Sequence, residues 1–146
     1  MSALPLRVTL ISLGVNDLAR SVRFYSALGL RQRMKGAEGV AFFEAGGVVI
    51  SLFPREELAK DANVENSKPG FSGIALAYNV ASEPEVDEVL KAAEMAGGKI
   101  LKPAQRVFWG GWCGHFADTE GHIWEVAHNP QATFDAHGHL VFPANS

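Results

Sequence analysis

The pattern of apolar and polar residues changes period several times along the chain. An apolar run rich in Val, Leu and Ile predicts a strand at 7–13. Apolar residues at helical spacing follow, and Gly29 ends that helix as a left-handed cap would. Short strands are then predicted at 31–34, 40–44 and 48–53, the last two joined through Gly46-Gly47.

The same order of elements returns after a short predicted helix at 54–60 and a polar stretch at 61–71. A strand is predicted at 73–79, and Ser82 with Glu85 has the spacing of a capping box before an amphipathic helix. Gly97-Gly98 ends this helix, and further strands are predicted at 99–102, 113–117 and 122–128. The repeated order is the main indication of the architecture.

Each repeat is too small to bury enough apolar surface alone, so the two are expected to pair. We therefore predict an α+β fold in which two paired βαβββ modules form a cupped, mostly antiparallel sheet with the helices outside. The single domain spans 1–146, with a first module at 6–53, a linker at 54–72, a second module at 73–128 and a C-terminal tail at 129–146. Residues 134–143 of the tail are predicted to add a short strand pair.

Composition narrows the classes of function. The net charge of −3 at pH 7 does not favour nucleic acid or an anionic membrane as partner. The single cysteine, Cys113, excludes an intrachain disulfide and fits a reducing compartment. The apolar run at 8–15 is shorter than a membrane span and lacks the pattern of a signal peptide. A cytoplasmic location is the resulting expectation.

The stretch at 117–126 carries the clearest local signal. Asp118 and Gly121 have the chemistry of a tight hairpin turn. In the strand that follows, Glu125 shares a face with Ile123 and Ala127, while Trp124 and Val126 take the other face. A carboxylate on an otherwise apolar strand costs free energy unless it has a partner, so Glu125 is a candidate functional residue.

Two motifs make the chain resemble a known superfamily. They are VNDLARSVRFYSALGL at 15–30 and FADTEGHIWEV at 116–126, which are similar to the first helix and the last hairpin of vicinal oxygen chelate proteins. This superfamily includes glyoxalase I, fosfomycin and bleomycin resistance proteins and extradiol dioxygenases. The resemblance covers about 8–130 and implies a small-molecule cleft on the sheet, commonly completed in a homodimer.

In metal-using members of the superfamily, four strands supply the ligands from their inner faces. Matching the motifs places these positions at Leu10, Ser51, Gly73 and Glu125. Divalent metals need several N or O donors from the protein. Of these four positions, only Glu125 carries one of the usual ligands, a histidine or a carboxylate. The resemblance therefore implies a member with no metal and no other cofactor. This argues against a glyoxalase reaction that depends on a metal Lewis acid.

Glu125 and His115 are the candidate catalytic residues. Glu125 could act as a general base or anchor a polar ligand group, or its carboxylate could simply be satisfied by a neighbouring hydroxyl or backbone N–H. The resemblance to fosfomycin-resistance proteins implies that His115 touches substrate; a hydrogen-bonded structural histidine is the alternative. Whether the two side chains share a face depends on the number of residues in the turn between them.

The candidate ligand-binding residues are mainly aromatic. Trp109 and Trp112 flank Gly110-Gly111, which suggests a loop that lays flat rings against a ligand, although the rings could instead plug the interface between the modules. Phe43 and Phe53 are expected to line the same cleft, with core packing as the alternative, and Ser12 and Ser51 offer hydroxyls to it. His137 and His139 have a spacing that suits a metal, but a chance occurrence explains it without further donors.

Two functions from different classes follow. The first is a glyoxalase/bleomycin-resistance-like binding protein that holds a small aromatic or amphipathic molecule without the family metal. The second is a glyoxalase-like lyase or isomerase in which Glu125 and His115 transfer protons, or a metal-dependent member if the motif alignment is wrong. The expected partners are a small-molecule ligand and a second copy of the chain.

Overall fold

The computed structural model describes residues 6–142 of the 146-residue chain. The first module contains one helix and four strands: β1 (Leu10–Val15), α1 (Leu18–Ala27), β2 (Arg31–Arg33), β3 (Ala41–Glu44) and β4 (Val49–Pro54). A short helix, α2 (Arg55–Asp61), follows. The second module contains β5 (Ala75–Asn79), α3 (Glu83–Met95), β6 (Lys99–Arg106), β7 (Trp112–Ala117) and β8 (Ile123–His128). The tail adds β9 (Thr133–Phe134) and β10 (Leu140–Val141).

Each module forms a four-stranded mixed sheet with the same internal arrangement. The strand orders are β1-β4-β3-β2 and β5-β8-β7-β6, and β9 pairs with β10 in a separate two-stranded sheet. In both modules the first strand runs parallel to the last one, and the remaining pairs are antiparallel. The predicted fold class of two βαβββ modules is confirmed.

Local signals in the sequence place the ends of the helices. The Asp17 side chain accepts a hydrogen bond from the N–H of Arg20 at the start of α1, and Gly29 follows the helix with a φ of +95°. At the start of α3, Ser82 accepts from the N–H of Glu85, and the Glu85 carboxylate accepts from the N–H of Ala81. These contacts satisfy N–H groups that the first turn of a helix leaves without partners.

Two strands differ from the predicted bounds by more than two residues. Strand β1 occupies Leu10–Val15 instead of 7–13, because its parallel register with β4 pairs Leu10 with Val49 and Val15 with Pro54. Strand β6 continues to Arg106 through Pro103, with register shifts on either side of Lys102. It lies at the edge of its sheet and has an irregular register there, and edge strands and bulges are the positions in a sheet that tolerate a proline.

The core joins the helix sides of both modules. Helix α1 packs on the first sheet, and its buried Phe24 and Tyr25 also contact the second sheet. Phe24 lies 6.2 Å from Phe116 and Tyr25 lies 6.1 Å from Trp124, measured between ring centroids. Tyr25 reaches Phe43 of the first sheet at 6.2 Å as well. One aromatic cluster therefore serves two sheets that are too small to stand alone.

A buried carboxylate at the turn after β7 ties the modules together. The Asp118 side chain accepts from the hydroxyl of Tyr25 at 2.5 Å and lies 2.8 Å from Nδ1 of His122. It also accepts from the backbone N–H groups of Glu120 and His122. Trp124 donates its indole N–H to the Tyr25 hydroxyl at 3.0 Å. This set of contacts satisfies a charge that would otherwise be costly to bury.

Among residues 6–142, no helix has the length and apolar character needed to cross a bilayer. Cytoplasmic location stays a prediction.

We expect Asp118→Asn to lower the free energy of unfolding at pH 7 by about 1–3 kcal/mol, because it weakens several hydrogen bonds to a buried charge. Burial raises the pKa of Asp118. The hydrogen bonds from His122 and Tyr25, together with the charge of His122, lower it by a larger amount, so the pKa lies below its usual value. A carboxyl with a depressed pKa stabilises the fold above its unfolded-state pKa. That contribution is lost as the pH falls through the folded-state pKa.

Urea unfolding of the wild type and Asp118→Asn between pH 7 and pH 2 measures both effects. The exposed Asp61, at the end of α2, provides the matched control Asp61→Asn. If Asp118→Asn and Asp61→Asn unfold alike at pH 7, Asp118 does not hold the modules together.

Candidate functional site

Each sheet has one face that packs against helices and one that does not. The register of the second sheet aligns Ala77, Glu125 and His115 across β5, β8 and β7. Their neighbours Leu76, Trp124 and Phe116 point to the helices, because successive side chains of a strand alternate. We call the helix-free side of each sheet its open face. The predicted assignment of Glu125 and Trp124 to opposite faces matches this register.

The open face of the second sheet brings the two candidate catalytic residues together. His115 and Glu125 are direct partners in the β7–β8 register, and Nε2 of His115 lies 3.7 Å from Oε2 of Glu125. Their side chains are 30% and 33% exposed. The pair is therefore both close enough to interact and open to a ligand. The question of whether the two share a face is settled by the turn, which pairs Asp118 with His122 through a backbone hydrogen bond.

Two further residues lie on this face: Lys102, which the sequence did not indicate as a functional candidate, and Cys113, for which the lack of an adjacent base in the sequence argues against a catalytic role. Lys102 of β6 is the register partner of His115. Cys113 lies two residues before His115 on β7, so the two side chains are on the same face. Burial first, and then the neighbouring Glu125 charge, raise the pKa of the Cys113 thiol, so the thiol stays protonated at neutral pH. Lys102 was overlooked because the irregular register of β6 hides its alternation in the sequence.

The two tryptophans of the glycine-rich loop lie on different faces. Trp112 belongs to the helix side: its indole N–H donates to Asp87 of α3 at 3.1 Å, and the Arg106 guanidinium lies 5.3 Å from its ring centroid. This placement corrects its assignment to the ligand set. The Trp109 ring instead fills the space where a Cβ of Gly111 would point, 1.9 Å from that position. Since Gly111 and Trp112 point to opposite sides, Trp109 covers the open face.

Trp109 lies at one end of a row of residues on the open face, and His115 lies at the other end. The row runs from Gly111 past Cys113 to His115, about 13 Å at ordinary strand rise. Trp109 is 39% exposed, so its ring is available to a ligand. A molecule that contacts both the ring and the His115–Glu125 pair would be elongated.

The open face of the first sheet holds the other predicted ligand residues. Ser12 and Ser51 are register partners, and their hydroxyl oxygens lie 2.9 Å apart. Phe53 lies on the same side, one alternation beyond Ser51. Phe43 does not: it pairs with Ile50, is 0% exposed and packs against Tyr25. The assignment of Phe43 to the ligand set is therefore corrected, because its ring belongs to the core.

The predicted residues thus form two groups. One is Trp109, His115 and Glu125 on the second sheet, and the other is Ser12, Ser51 and Phe53 on the first. Among residues 6–142, no hydrogen bond or ion pair links one group to the other. The bonds between modules run through α1 and the turn after β7, including one from the N–H of Asp17 to Glu120.

The donor set does not fit the metal of the superfamily. The strand position beside Glu125 is Ala77, not Gly73, which precedes β5 and so was placed too early by the motif alignment. Ala77 supplies no donor either, and Leu10 and Ser51 remain without a His or carboxylate. Within the described part of the chain, no three His, Cys, Asp or Glu side chains come together as metal ligands.

Comparison with known proteins agrees with this geometry. The model of the Glyoxalase/Bleomycin resistance protein/Dioxygenase superfamily matches residues 7–126. A comparison with curated proteins finds no match.

Several solved structures share the fold. A glyoxalase-related enzyme from Fulvimarina pelagi is 36% identical, with a TM-score of 0.86 over 94% of this chain and 99% of that one. A glyoxalase/bleomycin resistance protein/dioxygenase from Nocardioides is 25% identical, with a TM-score of 0.72 over 87% and 85% of the two chains. A lactoylglutathione lyase from Agrobacterium tumefaciens is 22% identical, with a TM-score of 0.64 over 86% and 95%, and shows the fold alone. The chain belongs to the Glyoxalase/Bleomycin resistance protein/Dioxygenase superfamily.

Proposed function

We propose that the protein binds a small, elongated, aromatic or amphipathic molecule on the open face of its second sheet, without the family metal. The observation that carries this proposal is the placement of an exposed tryptophan ring and a polar His–Glu pair on one sheet face. Trp109 offers apolar stacking area, and His115 with Glu125 offers hydrogen bonds at the other end. This combination suits a ligand with an aromatic body and a polar terminus.

Charge on the open face supports the amphipathic character of the ligand. Lys102 flanks His115 on one side, and Glu125 flanks it on the other. Because Lys102 is exposed at the sheet edge, it can reach an anionic or strongly polar group without displacing the pair. The apolar neighbours Ala77, Ile123 and Ala127 complete the surface around Glu125.

A second copy of the chain is part of the proposal. Each open face carries only half of the predicted ligand residues, and the two groups do not contact each other within residues 6–142. The edge strands also leave apolar residues exposed, among them Leu10 of β1 and Ile74 beside β5. A homodimer that covers these residues would set the first-sheet group of one protomer over the second-sheet group of the other.

The two tryptophans provide a test of the binding surface. With 8-anilino-1-naphthalenesulfonate, an amphipathic aromatic probe, we expect Trp109→Leu to weaken binding by about tenfold, because stacking area on the open face is lost. Trp112→Leu should leave the affinity within about twofold, since Trp112 packs towards α3. Fluorescence titration of correctly folded variants measures both. Equal affinities for the wild type and Trp109→Leu would contradict the proposed surface.

The second candidate is a lyase or isomerase, favoured by the 3.7 Å separation of His115 and Glu125. Glu125→Gln separates it from binding alone. An enzyme that uses this carboxylate as a base should exchange the carbon-bound hydrogens of dihydroxyacetone in D₂O, and the variant should be slower by about 10²-fold or more. A binding protein should show no exchange above the buffer rate.

NMR of the ketone measures this exchange, and Glu88→Gln on the exposed side of α3 is the matched control. Exchange that is equally fast in the wild type and Glu125→Gln would remove Glu125 from the chemistry.

Metal content tests the donor-set argument. After incubation of untagged protein with Ni, Zn, Mn and Fe followed by desalting, we expect less than about a tenth of an equivalent of each, because Glu125 lacks the further donors such metals need. Elemental analysis is the measurement. A metal content near one equivalent per chain in the wild type that is lost in Glu125→Ala would contradict this expectation. It would mean that Glu125 binds a metal with donors that do not meet within a single protomer.

A further inference from the structure

A cavity of about 590 Å³ lies on the helix side of the molecule, between the two modules and the tail. Its floor includes Phe116 and Trp124, whose rings are stacked with an interplanar angle of 2°. The end of α1 and the middle of α3 form its walls, with Leu28 and Val89 facing it. The β9–β10 hairpin covers it through Phe134 and Leu140. Three separate parts of the chain therefore enclose one space.

This cavity is separate from the open-face site. Trp124 and Glu125 are neighbours on β8 and point to opposite faces of the sheet, so the two sites lie back to back. Neither His115 nor Glu125 lines the cavity. Of the residues assigned to the open face, Ala77 alone also lines the cavity.

Small residues leave the space open between the large ones. Ala45 and Gly46 of the β3–β4 turn, Gly29 after α1 and Ala92 of α3 all line the cavity. Gly29 and Gly46 have φ values of +95° and +70°, a backbone region in which larger residues are strained. The volume is within the range of small-molecule pockets, and these backbone positions keep side chains from filling it.

The lining residues determine the chemistry of an occupant. Among the lining residues, which all belong to the described part of the chain, there is no Asp, Glu, Lys or Arg. The polar groups of the floor are already used, because the Tyr25 hydroxyl donates to Asp118 and the Trp124 indole N–H donates to Tyr25. A charged ligand would lose its hydration and could gain side-chain hydrogen bonds from Tyr78, Asn79 and His139 only, since the described lining residues include no Asp, Glu, Lys or Arg. Aromatic walls with no free charge favour an uncharged, planar aromatic molecule.

Among the tail residues within 6–142 that line the cavity, His139 is the only one with a titratable side chain. Its backbone N–H and that of His137 donate to Asp135, which holds the turn of the β9–β10 hairpin. His139 therefore has a defined place at the rim, where it can accept or donate one hydrogen bond. The backbone N–H groups of both tail histidines therefore stabilise the hairpin turn, and of the two only His139 lines the cavity.

We propose that this cavity is a second ligand site, which takes an uncharged planar aromatic molecule between the Phe116–Trp124 floor and the β9–β10 hairpin. The molecule stacks on apolar side chains from both modules. The occupied cavity buries Tyr78 and Phe134, which are 52% and 36% exposed in the free protein.

N-phenyl-1-naphthylamine, an uncharged aromatic probe that fluoresces in apolar surroundings, tests the proposal on the full chain. We expect saturable binding of one probe per chain. Ala92→Leu should weaken it by at least about tenfold, because the added side chain occupies the cavity. Ala92 is exposed on α3, so this change is compatible with folding. Ala62→Leu, on an exposed position after α2, is the control of equal bulk and should bind as the wild type does.

Two further variants distinguish this site from the open face. Phe134→Ser should speed release of the probe by opening the cover, and Trp109→Leu should leave its affinity unchanged. Wild-type affinity in Ala92→Leu, or no saturable binding to the wild type, would overturn the proposal. Loss of binding in Trp109→Leu with normal binding in Ala92→Leu would also overturn it, while supporting the open-face site. The Ala92→Leu measurement tests the cavity alone, so its outcome does not depend on whether the open face binds a ligand.

Discussion

The buried carboxylate of Asp118 is the contact through which the two modules become one body. It receives hydrogen bonds from the turn that carries it and from Tyr25 of the first module's helix. Tyr25 in turn accepts from Trp124, so the hydrogen bonds and the aromatic core meet at the same point. Because a buried charge tolerates little loss of its partners, this point allows few alternative arrangements of α1 against the β7–β8 hairpin. Everything displayed by β8 depends on that arrangement.

Strand β8 then divides the molecule into two chemically different sides. Its even positions Trp124 and Val126 contribute to the aromatic core and the cavity, while Glu125 faces His115 on the open side. A shift of one residue in the hairpin would exchange the two sets and bury Glu125 among aromatic rings. The turn geometry that holds Asp118 therefore also protects the polar site. Stability and the placement of the candidate site depend on the same register.

Much of this could be predicted from the sequence, because the signals are local. Hydrophobic periodicity, Gly29 and the Ser82–Glu85 pair place the helices, and alternation alone separates Glu125 from Trp124. Trp112 and Phe43 were misassigned for a different reason. Both lie on strands where either face is apolar enough to hold an aromatic ring, so composition does not determine their direction. Only the contacts with Asp87 and Tyr25 decide it, and these residues are distant in sequence.

The open faces of the first and second sheets carry different polar side chains at corresponding positions. In the second, Glu125 stands beside Ala77 and His115; in the first, the corresponding strands pair Ser12 with Ser51. The two serine hydroxyls hydrogen-bond to each other at 2.9 Å, whereas His115 and Glu125, 3.7 Å apart, offer larger polar groups to a ligand. A ligand between such faces would be held by polar contacts on one side and by shape on the other. This asymmetry, set against the near-identical topology of the modules, suggests that the repeat supplies the scaffold and that recognition depends on the second module.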